Sequence, residues 1–383
     1  MFVLDLEREL PVPPERAFAL IADPDLMNRW SEARIERVAP GDGGHPGGTG
    51  ALRRVHAILG GRTVVLDEVI ERATSPSELR YRVIAPISVK RHVGVQTIVA
   101  TPRGSSVRWH VEVELSSRPL EWIAKAALKP ALERSLDAMA RVAAEGVPER
   151  ALPPIRALDE LVEARAVRAE AEMCLAHQRR RAKDLLERHD DRGWFARVYE
   201  HVTDGQLRAC AEGRFDHPAW VLRLVIAFHA LWEDNLAIRL GEKRGDVEGH
   251  WVRAHQKAER ASKREPDVFV RAMRSIRAGM KAHIEDDLPR AIAKVHLRAY
   301  AGRADLARFR ADYLRMSDIF VEAGARIRDS LAREHWPLHA RVLDAVTPER
   351  MRAPMMNRTF YPITSRRGEA FERAVGLVRV LGD

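Results

Sequence analysis

The chain has 383 residues, of which 46% are hydrophobic and 31% are charged, as expected for a globular protein with more than one domain. Its two cysteines, Cys174 and Cys210, exclude a disulfide framework and a cysteine-rich metal site. No apolar run reaches the roughly 18–20 residues that span a bilayer, and no secretion-signal pattern is evident, so the expected location is the cytoplasm.

The formal net charge of +9 raises the question of a nucleic-acid partner. The basic residues are mostly arginine, are spread along the whole chain and alternate with acidic residues. The densest basic run, 179–183, lies on a predicted helix whose other face is Ala and Leu. This distribution makes nucleic acid an unlikely partner and remains compatible with anionic metabolites or a membrane surface.

The first 147 residues show the pattern of a curved antiparallel sheet. Residues 2–10 alternate apolar and acidic side chains, which predicts a half-buried strand. A short helix is predicted over 15–21, a helical turn over 26–30 and a glycine-rich loop over 41–50 that matches no phosphate-binding spacing. Further strands are predicted at 51–58, 63–70, 79–85, 89–99 and 107–115. Turn signals between these short strands indicate an antiparallel meander.

A long helix is predicted over 119–144, with its apolar side chains at helical spacing so that it can lie across the sheet. The residues on this face are Leu120, Ile123, Ala127, Leu128, Leu132, Leu136 and Met139. A sheet around one long helix encloses an interior that can hold a small apolar molecule.

Strand alternation selects the candidate ligand-binding residues. Trp109 and Val111 are predicted to face inward in the last strand, and the same count over 89–99 places Val93, Val95 and Arg91 inward. A guanidinium among valines is costly unless it is paired or meets a negative group. Arg91 therefore either extends to water from the open end of its strand or contacts the polar end of a ligand.

The order of these elements, together with particular residues, resembles the SRPBCC superfamily of START and polyketide cyclase/dehydrase-like proteins. The residues that carry the resemblance are Pro13-Pro14-Glu15-Arg16-Ala17-Phe18, Asp23, Trp30, Gly48–Gly50 and the helix from Pro119. The resemblance implies a helix-grip fold with an internal cavity for lipids, polyketides or other apolar compounds. It implies no particular reaction, because members share no fixed catalytic set.

Prolines at 148, 153 and 154 indicate a linker over 148–154, so that the predicted domains are 1–147 and 155–383. The second domain shows helical spacing throughout and few strand signals. Helices are predicted over 155–189, 193–203, 206–212, 217–240, 248–263, 266–285, 287–301, 303–332, 335–345 and 367–381. The predicted fold class is an α+β helix-grip domain followed by a mainly α-helical domain.

Two groups of histidines and carboxylates in the helical domain are candidate metal ligands. His283, Asp286 and Asp287 share one helical face by their i, i+3 and i+4 spacing. His229 and Glu233 are spaced i, i+4 on an otherwise apolar helix. Histidine and carboxylates on facing helices are how helical bundles hold Zn, Fe or Mn, so these five residues predict a divalent metal as the one cofactor candidate.

Structural interpretations of the same residues stay open. Asp287 lies two residues before Pro289, where it could cap the next helix. His229 on an apolar face is also typical of a core histidine. Asp318 and Glu322 form a further i, i+4 pair, and pairing with the abundant arginines explains most carboxylates at such spacing.

A second resemblance covers roughly residues 190–383. The segments Asp191-Arg192-Gly193-Trp194-Phe195 and Gly279-Met280-Lys281-Ala282-His283-Ile284, with the following Asp286-Asp287-Leu288-Pro289, are similar to a bacterial helical family of unknown function. That family has Asn where this chain has Lys281 and Glu285. The resemblance supports a helical domain and implies no activity.

The sequence therefore predicts binding, with modification as an option, of a small hydrophobic metabolite in the interior of the first domain. The alternative is a metal-dependent enzyme centred on His283 and Asp287. A third possibility is a non-catalytic scaffold in which the long helix over 155–189 meets a partner.

Overall fold

A computed structural model gives the structure of the protein. It describes residues 1–59, 61–85, 89–115, 117–146, 158–331, 333–347 and 360–382. The chain divides into two compact units: unit 1 is Met1–Ala157 with Gly302–Leu314, and unit 2 is Leu158–Ala301 with Arg315–Asp383. The predicted linker over 148–154 lies outside the described residues.

Unit 1 is built on a seven-stranded antiparallel sheet. Its strands are β1 Phe2–Leu10, β2 Arg34–Ala39, β3 Leu52–Leu59, β4 Arg62–Thr74, β5 Glu78–Ala85, β6 Val89–Thr101 and β7 Gly104–Leu115. The strand order is β1-β7-β6-β5-β4-β3-β2, so β1 closes against β7 and the rest form a meander. The six predicted strands are confirmed. β2 was not predicted, because its apolar residues, Ile35, Val38 and Ala39, do not alternate with polar ones, and only Ile35 is buried.

Two short helices follow β1, α1 Pro14–Ala22 and α2 Pro24–Met27. Asp23 joins them, and its carboxylate accepts a hydrogen bond from the Asp25 amide at 2.9 Å, which caps α2. Trp30 is buried and donates from Nε1 to the carbonyl of Leu20 at 2.9 Å. Asp23 and Trp30, which carry the first resemblance, therefore stabilise the two short helices α1 and α2.

The long helix α3, Arg118–Glu145, has two unlike halves. From Leu132 onward it buries apolar side chains against the sheet, whereas residues 118–131 have no buried side chain. Leu120 and Ile123 are exposed, whereas Leu128 packs partly buried against the core, so the predicted apolar face lies on the sheet only in part over this half. Pro130 stands where the two halves meet and removes one helical hydrogen bond there.

The glycine-rich loop over 41–50 is held by a segment from far along the chain, Gly302–Leu314, within unit 1. Asp42 Oδ2 accepts from Nε of the buried Arg308 at 2.8 Å, and Arg310 donates to the carbonyls of Pro40, just before the loop, and Gly50, at its end, at 2.9 and 2.6 Å. Gly50 has φ +82°, and a Cβ there would lie 1.7 Å from a carbonyl oxygen of the segment. These contacts place residues 302–314 in unit 1 with the sheet. Their helical periodicity had predicted instead that they belong to the second domain.

Unit 2 is mainly helical, as predicted. Its helices are α4 Glu160–Glu187, α5 Arg192–Ala211, α6 Pro218–Arg239, α7 Gly249–Arg264, α8 Val268–Ala282, α9 Leu288–Ala299, α10 Arg310–Ser330 (whose first turn belongs to unit 1), α11 Leu338–Val346 and α12 Ile363–Gly382. Between α8 and α9 the chain makes one π-helical turn, His283–Asp287. The two helices predicted over 193–203 and 206–212 are the single helix α5, because Gly205 lies inside it and gives room to Ile319.

The core of unit 2 is rich in aromatic side chains. Trp220, Trp232 and Trp251 are almost completely buried. Phe195 packs against two of them, with ring centroids 6.5 Å from Trp232 and 5.7 Å from Trp251. No helix in the described part of the chain is long and apolar enough to cross a membrane.

Candidate functional site

The inner face of the unit 1 sheet is defined by β7. Val107, Trp109, Val111 and Val113 are buried, as the alternation of this strand predicted. The indole Nε1 of Trp109 donates to the hydroxyl of Tyr81 at 2.9 Å. Two of the predicted ligand-binding residues, Trp109 and Val111, thus lie in the interior of unit 1.

The other three, Arg91, Val93 and Val95, lie on the opposite face of the sheet from Trp109. Residues directly across an antiparallel ladder share a face, and Val93 is paired with the outward-facing Glu112. Arg91 forms an ion pair with Glu112 at 3.0 Å, and 58% of its side chain is exposed. The prediction that these residues line the interior is wrong.

The reason is the phase of β6. β-Branched residues suit either face of a strand, so the valines of β6 did not identify the inner face. Gly94 and Gln96 take the inward positions instead, opposite Val111 and Trp109. Gly94 is required there, because a Cβ would lie 2.2 Å from the ring of Tyr81. A one-residue change of phase exchanges every side chain between the faces.

The interior of unit 1 contains polar groups that were not predicted. Arg53 Nε donates to Glu68 Oε2 at 2.8 Å, with both side chains buried, and the guanidinium lies 4.8 Å from the Tyr81 ring centroid. Burial raises the pKa of Tyr81, which keeps its hydroxyl protonated. Gln96 is 0% exposed, and neither its Nε2 nor its Oε1 has a hydrogen-bond partner among the described residues.

A signal for Gln96 was present in the sequence. The turn at Pro102-Arg103 pairs Thr101 with Gly104, and this two-residue loop sets the register of the hairpin. Counting back from it places Gln96 opposite Trp109, the residue that had already identified the inner face. The hairpin register was therefore a better guide than the valines.

In unit 2 the carboxylate of Asp287 is 0% exposed and accepts three hydrogen bonds. His283 Nδ1 and Trp251 Nε1 donate to Oδ2, and His250 Nε2 approaches Oδ1, each at 2.9 Å. Burial alone would raise the pKa of Asp287, but the hydrogen bonds from His250 and His283 lower it to about 2. Asp287 is therefore a buried anion at neutral pH.

His283, which donates a hydrogen bond to this carboxylate, is itself buried. Its ring stacks on Phe228 with the centroids 3.4 Å apart, and burial lowers its pKa despite the bond to Asp287. The ring is therefore neutral, and its proton is on Nδ1 because a carboxylate can only accept. Its Nε2 has no partner among the described residues.

The structure joins only some of the predicted metal ligands. His283 and Asp287 are in contact, and Asp286 is half-buried beside them in the chain. His229 and Glu233 belong to a separate network with α4. His229 Nε2 lies 3.2 Å from Nδ1 of His177, while Glu233 accepts hydrogen bonds from a guanidinium.

That guanidinium is Arg181, so arginine pairing, one of the alternatives, accounts for the Glu233 carboxylate. Burial, followed by the neighbouring histidines, lowers the pKa of His229 to about 3. A third pair, Asp318 and Glu322, lies on the exposed face of α10, with Glu322 3.8 Å from Arg214.

His250 and Trp251, which hydrogen-bond to Asp287, were not predicted. Neither was Glu248, a possible metal ligand close to them. Glu248, His250 and Asp287 each offer one ligand atom, and these atoms lie within 4.8 Å of one another. His250 and Trp251 are 37 and 36 residues from Asp287 in sequence. Helical spacing reports only neighbours on one helix, so it gave no signal for them.

The glycine of the motif that resembles a helical family has a packing role. A Cβ on Gly279 would lie 2.3 Å from Cγ of Phe195, a residue of the other motif segment. The two segments therefore meet in the core of unit 2, and the chain needs glycine where they touch.

Part of the chain aligns with several solved structures. One is the protein TTHA0849 from Thermus thermophilus, at 18% identity and a TM-score of 0.31, covering 38% of this chain and 98% of that one. Another is norcoclaurine synthase from Thalictrum flavum in complex with dopamine and hydroxybenzaldehyde, at 13% identity and a TM-score of 0.32, covering 38% and 88%. No curated protein matches the chain.

Two family models match different parts of the chain. Residues 1–144 match the model described as polyketide cyclase / dehydrase and lipid transport. Residues 172–379 match a family of unknown function. Both resemblances inferred from the sequence are thereby confirmed. Since the second match spans more than half of its length, the protein belongs to the family of unknown function DUF5995.

Proposed function

We propose that unit 1 binds a small hydrophobic molecule, lipid- or polyketide-like, between its sheet and α3, with one polar group next to Gln96. The helix-grip architecture and the match of residues 1–144 to a polyketide cyclase and lipid-transport model favour a hydrophobic ligand. Each CH₂ buried would contribute roughly 0.8 kcal/mol. The observation that carries the proposal is the unpartnered Gln96.

A buried amide without a partner is costly, so native proteins rarely contain one unless something else satisfies it. Neither the donor nor the acceptor of Gln96 has a partner among the residues that the structure describes, and the side chain lies inside unit 1 opposite Trp109. A ligand hydroxyl could pair with either atom, whereas a carbonyl or carboxylate would accept from Nε2. The amide thus supports a ligand that is apolar over most of its length and polar at one point.

The first half of α3 supports an entrance for such a ligand. Residues 118–131 contain no buried side chain, whereas the second half packs closely on the sheet. The same half exposes Trp122, Ile123 and Leu120, with Trp122 75% exposed. Exposed apolar side chains that are grouped in this way are typical of surfaces that receive apolar partners.

The test is isothermal titration of the full chain with 2-naphthol and naphthalene, which differ by one hydroxyl. We expect saturable binding of both probes, with 2-naphthol preferred about tenfold, since an unmade buried hydrogen bond costs about 1–3 kcal/mol. Gln96→Leu should bind naphthalene at least as well and lose the preference. Gln206→Leu, at a buried glutamine of unit 2, is the matched control and should keep it.

The outcomes separate the parts of the proposal. Lack of saturable binding of either probe would refute ligand binding in unit 1. An unchanged preference in Gln96→Leu would show that the polar contact lies elsewhere. Native mass spectrometry of the freshly purified chain adds an independent readout, because a retained organic mass would identify the ligand class directly.

A further inference from the structure

We propose that Glu248, His250 and Asp287 bind one divalent transition-metal ion in unit 2. Glu248 precedes the first residue of α7, His250 lies in its first turn, and Asp287 ends the π-helical turn before α9. His250 Nε2 lies 2.9 Å from Asp287 Oδ1 and 3.4 Å from Glu248 Oε2. One nitrogen and two carboxylate oxygens thus converge from two parts of the chain.

The distances between these donor atoms fit a shared ion. Zinc and similar ions bind nitrogen and oxygen ligands at about 2.0–2.2 Å. Ligands at that distance, separated by tetrahedral or octahedral angles, lie roughly 3.0–3.5 Å from one another. The contacts of His250 with Asp287 and with Glu248 are in or next to this range.

The carboxylate of Asp287 is oriented for this role by its other oxygen. Oδ2 accepts from His283 Nδ1 and from Trp251 Nε1, both at 2.9 Å, which leaves Oδ1 directed at His250. Metal-binding carboxylates are commonly fixed by such outer hydrogen bonds. His283 is then a positioning residue, and the motif around it that is similar to the helical family helps to shape the site.

The charge of the cluster also favours a cation. Arg290 donates to both oxygens of Glu248, at 2.6 and 2.8 Å, and its guanidinium lies 3.6 Å from Asp287 Oδ1. One guanidinium faces two carboxylates, of which Asp287 is fully buried. The Arg290 side chain is 42% exposed, so it can turn to solvent when a doubly charged ion takes its place.

The donor set indicates the class of ion. An imidazole with two carboxylates suits Zn²⁺, Mn²⁺ or Fe²⁺, whereas soft ions such as Cu⁺ prefer the thiolates that this cluster lacks. Three protein ligands leave at least one coordination position for water or a substrate oxygen. This is the arrangement of a reactive metal site rather than of a closed structural one.

The test is titration of Zn²⁺ and Mn²⁺ into the full chain after treatment with EDTA and dialysis. We expect one ion per chain, and an affinity at least tenfold weaker in His250→Ala and in Glu248→Gln. His56→Ala is the matched control, because His56 forms a comparable pair with Glu36 at 3.2 Å in unit 1 and should bind as wild type does.

Cobalt substitution gives a readout that a purely structural role would not change. Bound Co²⁺ absorbs in the visible range according to its donors, so the loss of the nitrogen in His250→Ala should alter or abolish the bands. Glu248 is partly exposed, so Glu248→Gln tests the site in a chain that keeps its fold, as circular dichroism can verify. A wild-type chain without saturable binding, or undiminished binding in both variants, would overturn the proposal.

Discussion

The contact between Gly279 and Phe195 predicts the effect of adding one methyl group in α8. A Cβ at position 279 would lie 2.3 Å from Cγ and 2.9 Å from Cβ of Phe195. These atoms are next to the Phe195 backbone, so rotation of the ring does not relieve the clash. Overpacking of this kind costs about 1–3 kcal/mol, here at the upper end.

Alanine also favours a helix over glycine by up to about 1 kcal/mol, so Gly279→Ala should destabilise unit 2 by about 2 kcal/mol net. Gly324 in α10 is the matched control, since it is exposed and a Cβ there meets nothing within 4 Å. Gly324→Ala should therefore stabilise the protein by about 0.5–1 kcal/mol.

Urea unfolding of the full chains, followed by circular dichroism at 222 nm, reports on the helical unit. The two variants should move the unfolding midpoint in opposite directions, with free energies of unfolding about 2.5–3 kcal/mol apart. If Gly279→Ala proved as stable as Gly324→Ala, the close approach of Phe195 would not be the reason for glycine at this position.

Arg53→Met and Glu68→Leu should each destabilise unit 1 by about 3–5 kcal/mol, because each leaves a buried charge unpaired. The double variant should recover most of this loss, and additive losses in a double-mutant cycle measured by denaturant unfolding would contradict the reasoning. Burial lowers the pKa of His255 to about 3, so it is neutral in the folded chain, while the unfolded chain takes up its proton below about pH 6.5. His255 therefore does not lower the free energy of unfolding above pH 6.5, and it lowers it by about 1.4 kcal/mol per pH unit as the pH falls from 6.5 toward 3. His255→Gln should remove that part of the slope of stability against pH. Asp42→Ala should cost about 1–3 kcal/mol and speed amide hydrogen exchange in 302–314, and unchanged exchange would show that the carboxylate does not hold the segment.

The sequence predicted elements well where one local pattern determined them. β7 has a clean alternation around Trp109, so its inner face was correctly identified. β6 has valines on its outer face and the glycine and glutamine of Gly94 and Gln96 on its inner face, so hydrophobicity indicated the wrong phase. The first half of α3 has helical periodicity with only partial burial, because periodicity shows that a face is apolar and not that a partner covers it.

The candidate metal cluster was predicted in part for a related reason. His283 and Asp287 share one short stretch of chain, and their spacing predicted that they would meet. His250 and Glu248 come from the start of another helix, and only the packing of α7 against the π-helical turn brings them close. Contacts between separate helices leave no periodic mark in a single sequence.

The segment Gly302–Leu314 affects the way the protein can fold during synthesis. The sheet and α3 leave the ribosome by residue 146, yet the arginines that bind the glycine-rich loop are translated roughly 150 residues later. At about 5–20 residues per second, the nascent sheet waits on the order of 10–30 s for this segment. A fragment that ends near residue 146 would permanently lack it, leaving the carbonyls of Pro40 and Gly50 without the guanidinium of Arg310. The region that matches the first family model, residues 1–144, is thus completed by the segment 302–314, which lies within the match to the second model, residues 172–379.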